Sequence, residues 1–456
     1  MSDVMRPQSF GVLLDRILAE LDTAESLFGI HRSLFYEPQE DPAYATEMFG
    51  HHLATPIGPG AGPHTQLTQN ILSAWLSGGR FIELKTVQIM DELEIPRPCI
   101  DMADEGYNVE WSQELKLEQS TQEYVKAWVL IHVLRRILGF EESVPFGTIF
   151  NMSVGYDLEG IKSEPMTRFM DVMEDASEEI ARLQDSLEAD HPSLSGIDIP
   201  AQMVNSATVS TMHGCPPDEI EEIGRHLMEE RDLHTFVKLN PTLLGKERVM
   251  DILHGHLGFT GIRIPDEIFE HDLQYDQAVA LIRSLMQVAQ ERELTFGVKL
   301  SNTLAMANHR DVLPGDEMYM SGRALYPITM ALFQTLTEEF EGDSASGSGG
   351  GLNVSYSAGA NALNVTSILS CGALPVTAVS DLLKPGGYSR FLQYLESLER
   401  DMERLGAASL EELAYDKLAN LREQASRALE DERYKKSYHP YDLPKVELGL
   451  DLFDLP

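Results

Sequence analysis

The stretch NSATVSTMHGCPPDEIEEIGRHL (205–227) holds one complete structural unit. Its first part, NSATVST (205–211), is short, small and β-branched, as in a buried strand. Pro216 and Pro217 then freeze the following turn. Helix formers begin at Asp218, the first turn of a helix. Strand, turn and helix occupy fewer residues than a typical domain, so the question is how often the unit recurs.

It recurs along most of the chain. Similar apolar segments are ATPIGPGAG (54–62), RFIELKT (80–86), GTIFNMSVG (147–155), HTFVKLN (234–240), TGIRIP (260–265), LTFGVKLS (294–301), LNVSYSAG (352–359) and ALPVTAVS (373–380). Most gaps between them carry a helical pattern. TRFMDVMEDASEEIARLQDSLE (167–188) and YDQAVALIRSLMQVAQERE (275–293) repeat apolar residues with the 3.6-residue period. Strand–helix alternation implies an α/β fold with a mainly parallel, covered sheet. The number of units favours a (β/α)8 TIM barrel over an open sheet, because no GxGxxG fingerprint opens the series. Nine segments compete for eight places, and TGIRIP or LTFGVKLS is the extra one.

The expected organisation follows. Residues 1–48 form an N-terminal helical extension, 49–390 the barrel, and 391–456 C-terminal helices with an extended tail. An insertion at about 88–145 follows the second strand, and EFEGDSASGSGGG (339–351) reads as a flexible loop. The 456 residues are 43% hydrophobic and 24% charged, a globular composition able to bury a large core. No apolar run is long enough to span a membrane. The start, MSDVMRPQSFGVLLDRILAELD, reads as an amphipathic helix and not as a signal peptide. A net charge of −38 argues against nucleic acid and anionic membranes as partners. Acidity of this order fits either a halophilic host or an acidic cytoplasmic protein. Cys99, Cys215 and Cys371 are the only cysteines, with no CxxC. They suit reduced thiols in the cytoplasm, and they are too few for an iron–sulfur cluster. No metal site is expected.

In a TIM barrel the chemistry sits at the C-terminal ends of the strands. Lys85, Cys215, Lys238 and Lys299 all fall there. A lysine inside an apolar strand is costly unless a negative partner meets it. Three of them imply either internal salt bridges or a bound anion or electron-rich ring. GPGAGP (58–63) allows backbone to approach a flat ring, and SAGAN (357–361) and SDLLKPGG (380–387) end the last two strands. Loops after strands seven and eight bind phosphate in many such barrels.

GGRFIELKTVQ, FNMSVGY, STMHGCPP, VKLNPT, SNT and YMSGRALYP together resemble the FMN barrel of dihydropyrimidine and dihydroorotate dehydrogenases. STMHGCPP, FNMSVGY, YMSGRAL and DLLKPGGY are still more similar to the family named "putative selenate reductase subunit". The likeness runs from about residue 5 to 440. It implies FMN as cofactor, with Gly60, Ala61 and Gly62 under the ring and Gly359 and Ser380 in the phosphate turns. It implies Cys215 as the residue exchanging a proton with substrate, and Lys85 against flavin and substrate. Lys238 or Lys299 lies at the flavin edge. Asp157, His213, Asn302 and Thr303 would contact substrate. In that family FAD, NAD(P)H and iron–sulfur segments usually follow the FMN barrel, so this chain resembles the FMN half and an FAD/iron–sulfur partner would supply electrons. The dehydrogenases are commonly oligomers, which allows a homo-oligomer here. The "selenate" label is a name; no residue here resembles a molybdenum or selenium-oxyanion site.

Three departures bear on substrate. Met212 stands where the dehydrogenases have Asn before the cysteine, Asp157 stands where they have another Asn, and Ala358 replaces the first glycine of a phosphate turn. A pyrimidine is therefore not implied. The expected substrate is a polarised C=C or C=N, in a purine- or pyrimidine-like heterocycle.

Cys215 alone reads four ways: metal ligand, redox thiol, core filler or proton donor. Its place after a barrel strand and the acid–base logic of a thiol favour the proton donor. Two rival functions stand beside this one. One is a non-catalytic FMN-carrying electron-transfer or scaffold subunit. The other is a flavin-free barrel whose lysines bind a sugar phosphate.

Overall fold

The computed structural model describes residues 6–89, 98–102, 107–108, 114–140, 144–210, 215–309, 313–342 and 351–436. Its centre is an eight-stranded parallel sheet. In chain order the strands are β1 (Ile57–Pro59), β2 (Phe81–Glu83), β3 (Ile149–Gly155), β4 (Val204–Ser210), β5 (His234–Leu239), β6 (Phe296–Leu300), β7 (Asn353–Tyr356) and β8 (Ala373–Ala378). Each pairs with its chain neighbour, and β8 returns to pair with β1 through Val376–Ile57, Thr377–Gly58 and Ala378–Pro59. The Arg80 amide donates to the Ile57 carbonyl at 2.9 Å, joining β1 to β2 and closing the ring. The TIM barrel is therefore the observed architecture. TGIRIP was the extra candidate: residues 260–261 form a turn, 262–265 lie outside any strand, and Pro265 caps the short helix Asp266–His271.

Helices cover the barrel. Thr68–Leu76 follows β1, Leu117–Leu138 follows β2, Pro217–Arg225 follows β4, Tyr275–Glu291 follows β5, and Leu325–Glu339 follows β6. Tyr275–Glu291 buries Ala278, Leu281, Ile282, Leu285 and Ala289 on one face, the helical spacing expected. The helix expected over 167–188 is two helices, Glu164–Glu174 and Ser177–Asp190, because Asp175 turns extended between them. Gly58 must be glycine: a Cβ there would run into the Phe81 carbonyl oxygen on β2.

The flanking regions differ from the expectation in part. Within residues 1–48 only Phe10–Ala24 is a long helix; Glu25 and Phe28 take left-handed backbone and redirect the chain into a small ribbon, Ser26–Leu27 against Ile30–His31. In the 88–145 segment, Leu117–Leu138 is the barrel's own crossover helix, with most of its length buried. Ile100–Asp101 instead joins Leu304–Ala307, Glu317–Met320 and Tyr107–Asn108 in a separate four-stranded sheet. At the other end lie the helices Arg390–Leu405 and Lys417–Glu430. The tail beyond 436 and the centre of the 339–351 loop lie outside the described residues.

A hairpin, Thr46–Met48 against His51–Leu53, seals the N-terminal end of the barrel. Its Phe49 stacks on His234 at 4.9 Å and packs against Phe81 and Phe236, which begin or lie near the start of their strands. With that end filled by apolar side chains, access to the interior is left to the C-terminal end. Among the described residues no helix is long and apolar enough to cross a membrane.

Candidate functional site

Parallel topology brings the ends of β1 to β8 to one mouth, opposite the Phe49 plug. Just inside lies a charged cluster. Glu83 of β2 and Lys299 of β6 form an ion pair at 2.7 Å, each side chain 1% exposed. The Lys299 ammonium also donates to Thr377 Oγ1 of β8 at 2.8 Å. Glu83 Oε2 accepts the Ala61 amide at 3.2 Å, so the pair fastens the Gly60–Ala61–Gly62 turn as well. Glu83 Oε1 is buried with no hydrogen-bond partner among the described residues. Burial pushes the Glu83 pKa up, but the Lys299 and Lys238 charges and the hydrogen bonds prevail and hold it below its ordinary value.

Lys238 is the register partner of Lys299 on the adjacent strand, so both side chains point the same way, into the barrel. Among the described residues no hydrogen bond or ion pair engages its ammonium, and its side chain keeps partial solvent contact. Desolvation lowers its pKa to about 8; Glu83 opposes that fall, and Lys299 and Lys85 add to it. Lys85 follows β2 and is buried, its amide donating to Thr65 at 3.2 Å and its carbonyl accepting the Tyr124 hydroxyl at 2.9 Å.

On the β3–β4 side stands an acidic corner. Cys215 lies two residues before the helix Pro217–Arg225, which Pro216 and Pro217 start. Its thiol meets Glu219 Oε2 at 3.9 Å, and Glu219 Oε1 accepts the Leu158 amide at 3.0 Å. Burial, then the Glu219 carboxylate, pushes the Cys215 pKa up to about 12. Asp157 adds to that rise and also caps the helix Leu158–Ile161 by accepting the Gly160 amide at 2.7 Å. Cys99 and Cys371 are buried, and among the described residues none of the three cysteines forms a disulfide. His213 and Met212 lie outside the described residues.

The remaining expected residues also fall at the mouth. Asn302 donates to Asn240 Oδ1 at 2.8 Å, which ties the β6 end to the β5 end, and Thr303 follows it. Gly359 takes left-handed backbone, φ +63°, and a Cβ there would stand 2.6 Å from the Gly322 carbonyl oxygen. The Ser380 hydroxyl lies 2.8 Å from that of Ser321. Residues 321–322 thus join the two turns expected to hold phosphate. Asp381 clamps the second turn, accepting from Arg390 at 2.7 and 2.9 Å and from Tyr394 at 3.0 Å. Gly60 and Gly62 pack against Val379 on the β8 side, where a Cβ would stand 3.0 and 2.9 Å from its methyls.

Sequence reasoning missed Glu83, Glu219 and Asp381. Glu83 was visible by the logic applied to the lysines: a charge inside an apolar strand, two residues before Lys85. Glu219 stands four residues after Cys215, a helical turn away, but its contact depends on the tertiary turn. Among the described residues no group of three metal-ligating side chains gathers.

Comparison with known proteins places the chain in a family. Residues 28–436 match the family described as Oxidoreductase YgfK, N-terminal TIM-barrel domain. The chain is 45% identical over 473 aligned residues to the Escherichia coli K12 protein named "Putative oxidoreductase YgfK", covering 100% of this chain and 44% of that protein. The Escherichia coli O157:H7 protein of the same name matches to the same extent. The chain therefore spans less than half the length of these relatives. Its fold is similar to ligand-free dihydroorotate dehydrogenase (DHODH) from Eimeria tenella, with TM-score 0.52 and 13% identity over 89% of this chain and 98% of that one. The same enzyme in complex with ferulenol gives TM-score 0.52 and 13% identity over 90% and 96%. At that identity the likeness is one of fold, whereas the sequence match is one of family. The chain belongs to the YgfK oxidoreductase family, as a protein carrying its N-terminal TIM-barrel domain.

Proposed function

We propose that the barrel mouth binds FMN and that the chain is the flavin-bearing part of an oxidoreductase. The observation that carries this reading is Lys238. Its ammonium stands at the mouth, desolvated and without a hydrogen bond or ion pair among the described residues. A group of that kind calls for an anionic or electron-rich ligand. The small Gly60–Ala61–Gly62 turn and the paired turns at Gly359 and Ser380 fit a flat ring with a phosphate at one end. When bound, FMN supplies hydride transfer.

The chain's own residues then have these roles. Lys238 and Lys85 place positive charge at the ring and substrate. Lys299 is engaged with Glu83, so Lys238 is the better candidate for the flavin-edge lysine. Asn302 and Thr303 orient the substrate from the β6 end. Asp157 and His213 are the further substrate contacts that the family resemblance suggests. Cys215, held protonated by its surroundings, donates a proton to the substrate carbon. A polarised C=C or C=N of a purine- or pyrimidine-like heterocycle suits that chemistry. Electrons would come from an FAD/iron–sulfur part, a role the greater length of the relatives leaves room for.

A second reading keeps FMN but makes the chain an electron carrier or scaffold. The Asp157 carboxylate favours it, since a helix cap already occupies one oxygen that substrate would need. Cys215→Ser separates the two: a proton donor loses turnover while flavin stays bound, whereas a carrier is little affected. The first test is the visible absorption spectrum of the purified chain, with the released cofactor identified. Stoichiometric FMN supports the proposal. A folded, colourless chain that takes up no added FMN overturns it.

A further inference from the structure

The cluster below the mouth contains more than the flavin reading needs. Lys238 and Lys299 are like charges in register on neighbouring strands, an arrangement that repels. Among the described residues one carboxylate, Glu83, sits with them and is committed to Lys299 at 2.7 Å. Thr377 takes a second hydrogen from Lys299, which fixes that ammonium on the far side from Lys238's strand. Glu83 also anchors the Ala61 amide, while its Oε1 has no partner although buried. The titratable groups facing Lys238 are Glu83 and Lys85 from β2 and its end, and Lys299 from β6.

We propose that Glu83 is a positioning residue which, through its ion pair with Lys299, sets the charge carried by Lys238 at the barrel mouth. The pair is a built-in balance. Glu83 favours the ammonium form of Lys238 and Lys299 disfavours it, so removing either one tilts Lys238 in a known direction. The charge so set governs how strongly the mouth holds a planar anionic ligand, of which FMN is the case proposed above; in that respect the inference rests on that reading. The setting of Lys238 itself does not.

The test reads Lys238 directly. Acetic anhydride labelling over a pH series, followed by peptide mass spectrometry, gives the midpoint of Lys238 acetylation, expected near pH 8 in the unaltered chain. Glu83→Gln should lower that midpoint by on the order of one pH unit. Lys299→Met should raise it, since Glu83 is then left facing Lys238. The double variant E83Q/K299M, which removes both members of the ion pair together, should return it toward the starting value. Either single variant can fail to fold; the double variant and the remaining single one still decide. A Lys238 midpoint that stays in place in every folded single variant overturns the proposal, because burial alone then sets the charge. FMN titration of the same samples separates the two readings. Midpoints that move in a chain that binds no FMN sustain the balance and sink the flavin. FMN binding with immobile midpoints does the reverse.

Discussion

Lys238 and Lys299 occupy the same level of adjacent parallel strands, yet among the described residues only Lys299 has a counter-charge in contact, Glu83 at 2.7 Å. Two lysines that look alike in VKLNPT and VKLSNT therefore have different work. One closes a buried ion pair that spans the barrel from β6 to β2. The other leaves its ammonium to whatever enters the mouth.

That difference predicts opposite costs. Lys299→Ala leaves the Glu83 carboxylate buried without its main partner and should destabilise the fold by about 3–5 kcal/mol. Lys238→Ala removes a desolvated ammonium with no direct partner among the described residues and should leave stability nearly unchanged, while FMN affinity falls at least tenfold, about 1.4 kcal/mol. Urea unfolding and FMN fluorescence titration check the two arms; equal destabilisation by both substitutions would count against the division of roles.

FMN affinity should also depend on pH with a definite sign. Lys238 has its pKa lowered to about 8, so its ammonium is complete below that pH and lost above it. Binding of an anion should weaken as pH rises through about 8, with proton uptake on binding above that point. Isothermal titration in two buffers of different ionisation heat measures the uptake; affinity flat between pH 7 and 9.5 contradicts the assignment.

Cys215 should be a slow thiol. With its pKa at about 12, against about 8.5 for an ordinary thiol, it carries little thiolate at pH 8. It is the one cysteine of the three that is not buried, so iodoacetamide reads it selectively in the folded chain. Glu219→Gln removes the carboxylate that opposes thiolate formation and should speed alkylation at pH 8–9 severalfold. Unchanged alkylation would mean that burial alone protects the thiol.

His64 predicts an acid weakness. Burial lowers its pKa to about 4, and its Nδ1 has no partner among the described residues. The unfolded chain then binds a proton near pH 6.5 that the folded chain refuses, so stability is complete above 6.5 and falls as pH drops toward 4. His64→Phe should flatten that part of the stability–pH curve. Chemical denaturation at pH 7, 6, 5 and 4 is the measurement.

The far end of the barrel should be separable from the mouth. Phe49→Ala empties the apolar plug formed with Phe81, Phe236 and Ile149 and should cost about 3–5 kcal/mol. FMN binding by the remaining folded protein should be unaffected, since the plug lies at the opposite end of the strands.

The amino-acid sequence by itself determined the barrel and the identity of most mouth residues. Strand–helix alternation is local: apolar runs of strand length, prolines after Cys215 and helical periodicity in 275–291 each act within a few residues. Because parallel strands expose their C-terminal ends together, placing Lys238 near the end of a strand and Lys85, Cys215 and Asn302 after strands also placed them toward one mouth. The choice between TGIRIP and LTFGVKLS was not local; it was decided by which segment pairs with β5 and β7, and FGVKL does. The length of the N-terminal helix was likewise decided by the left-handed turn after Ala24, where no proline or glycine marks the break. Above all, the division of labour among the lysines came from three dimensions. Glu83 is 216 positions before Lys299, and a carboxylate's choice between two ammoniums follows from ångström distances inside a closed barrel, which no spacing along the chain encodes.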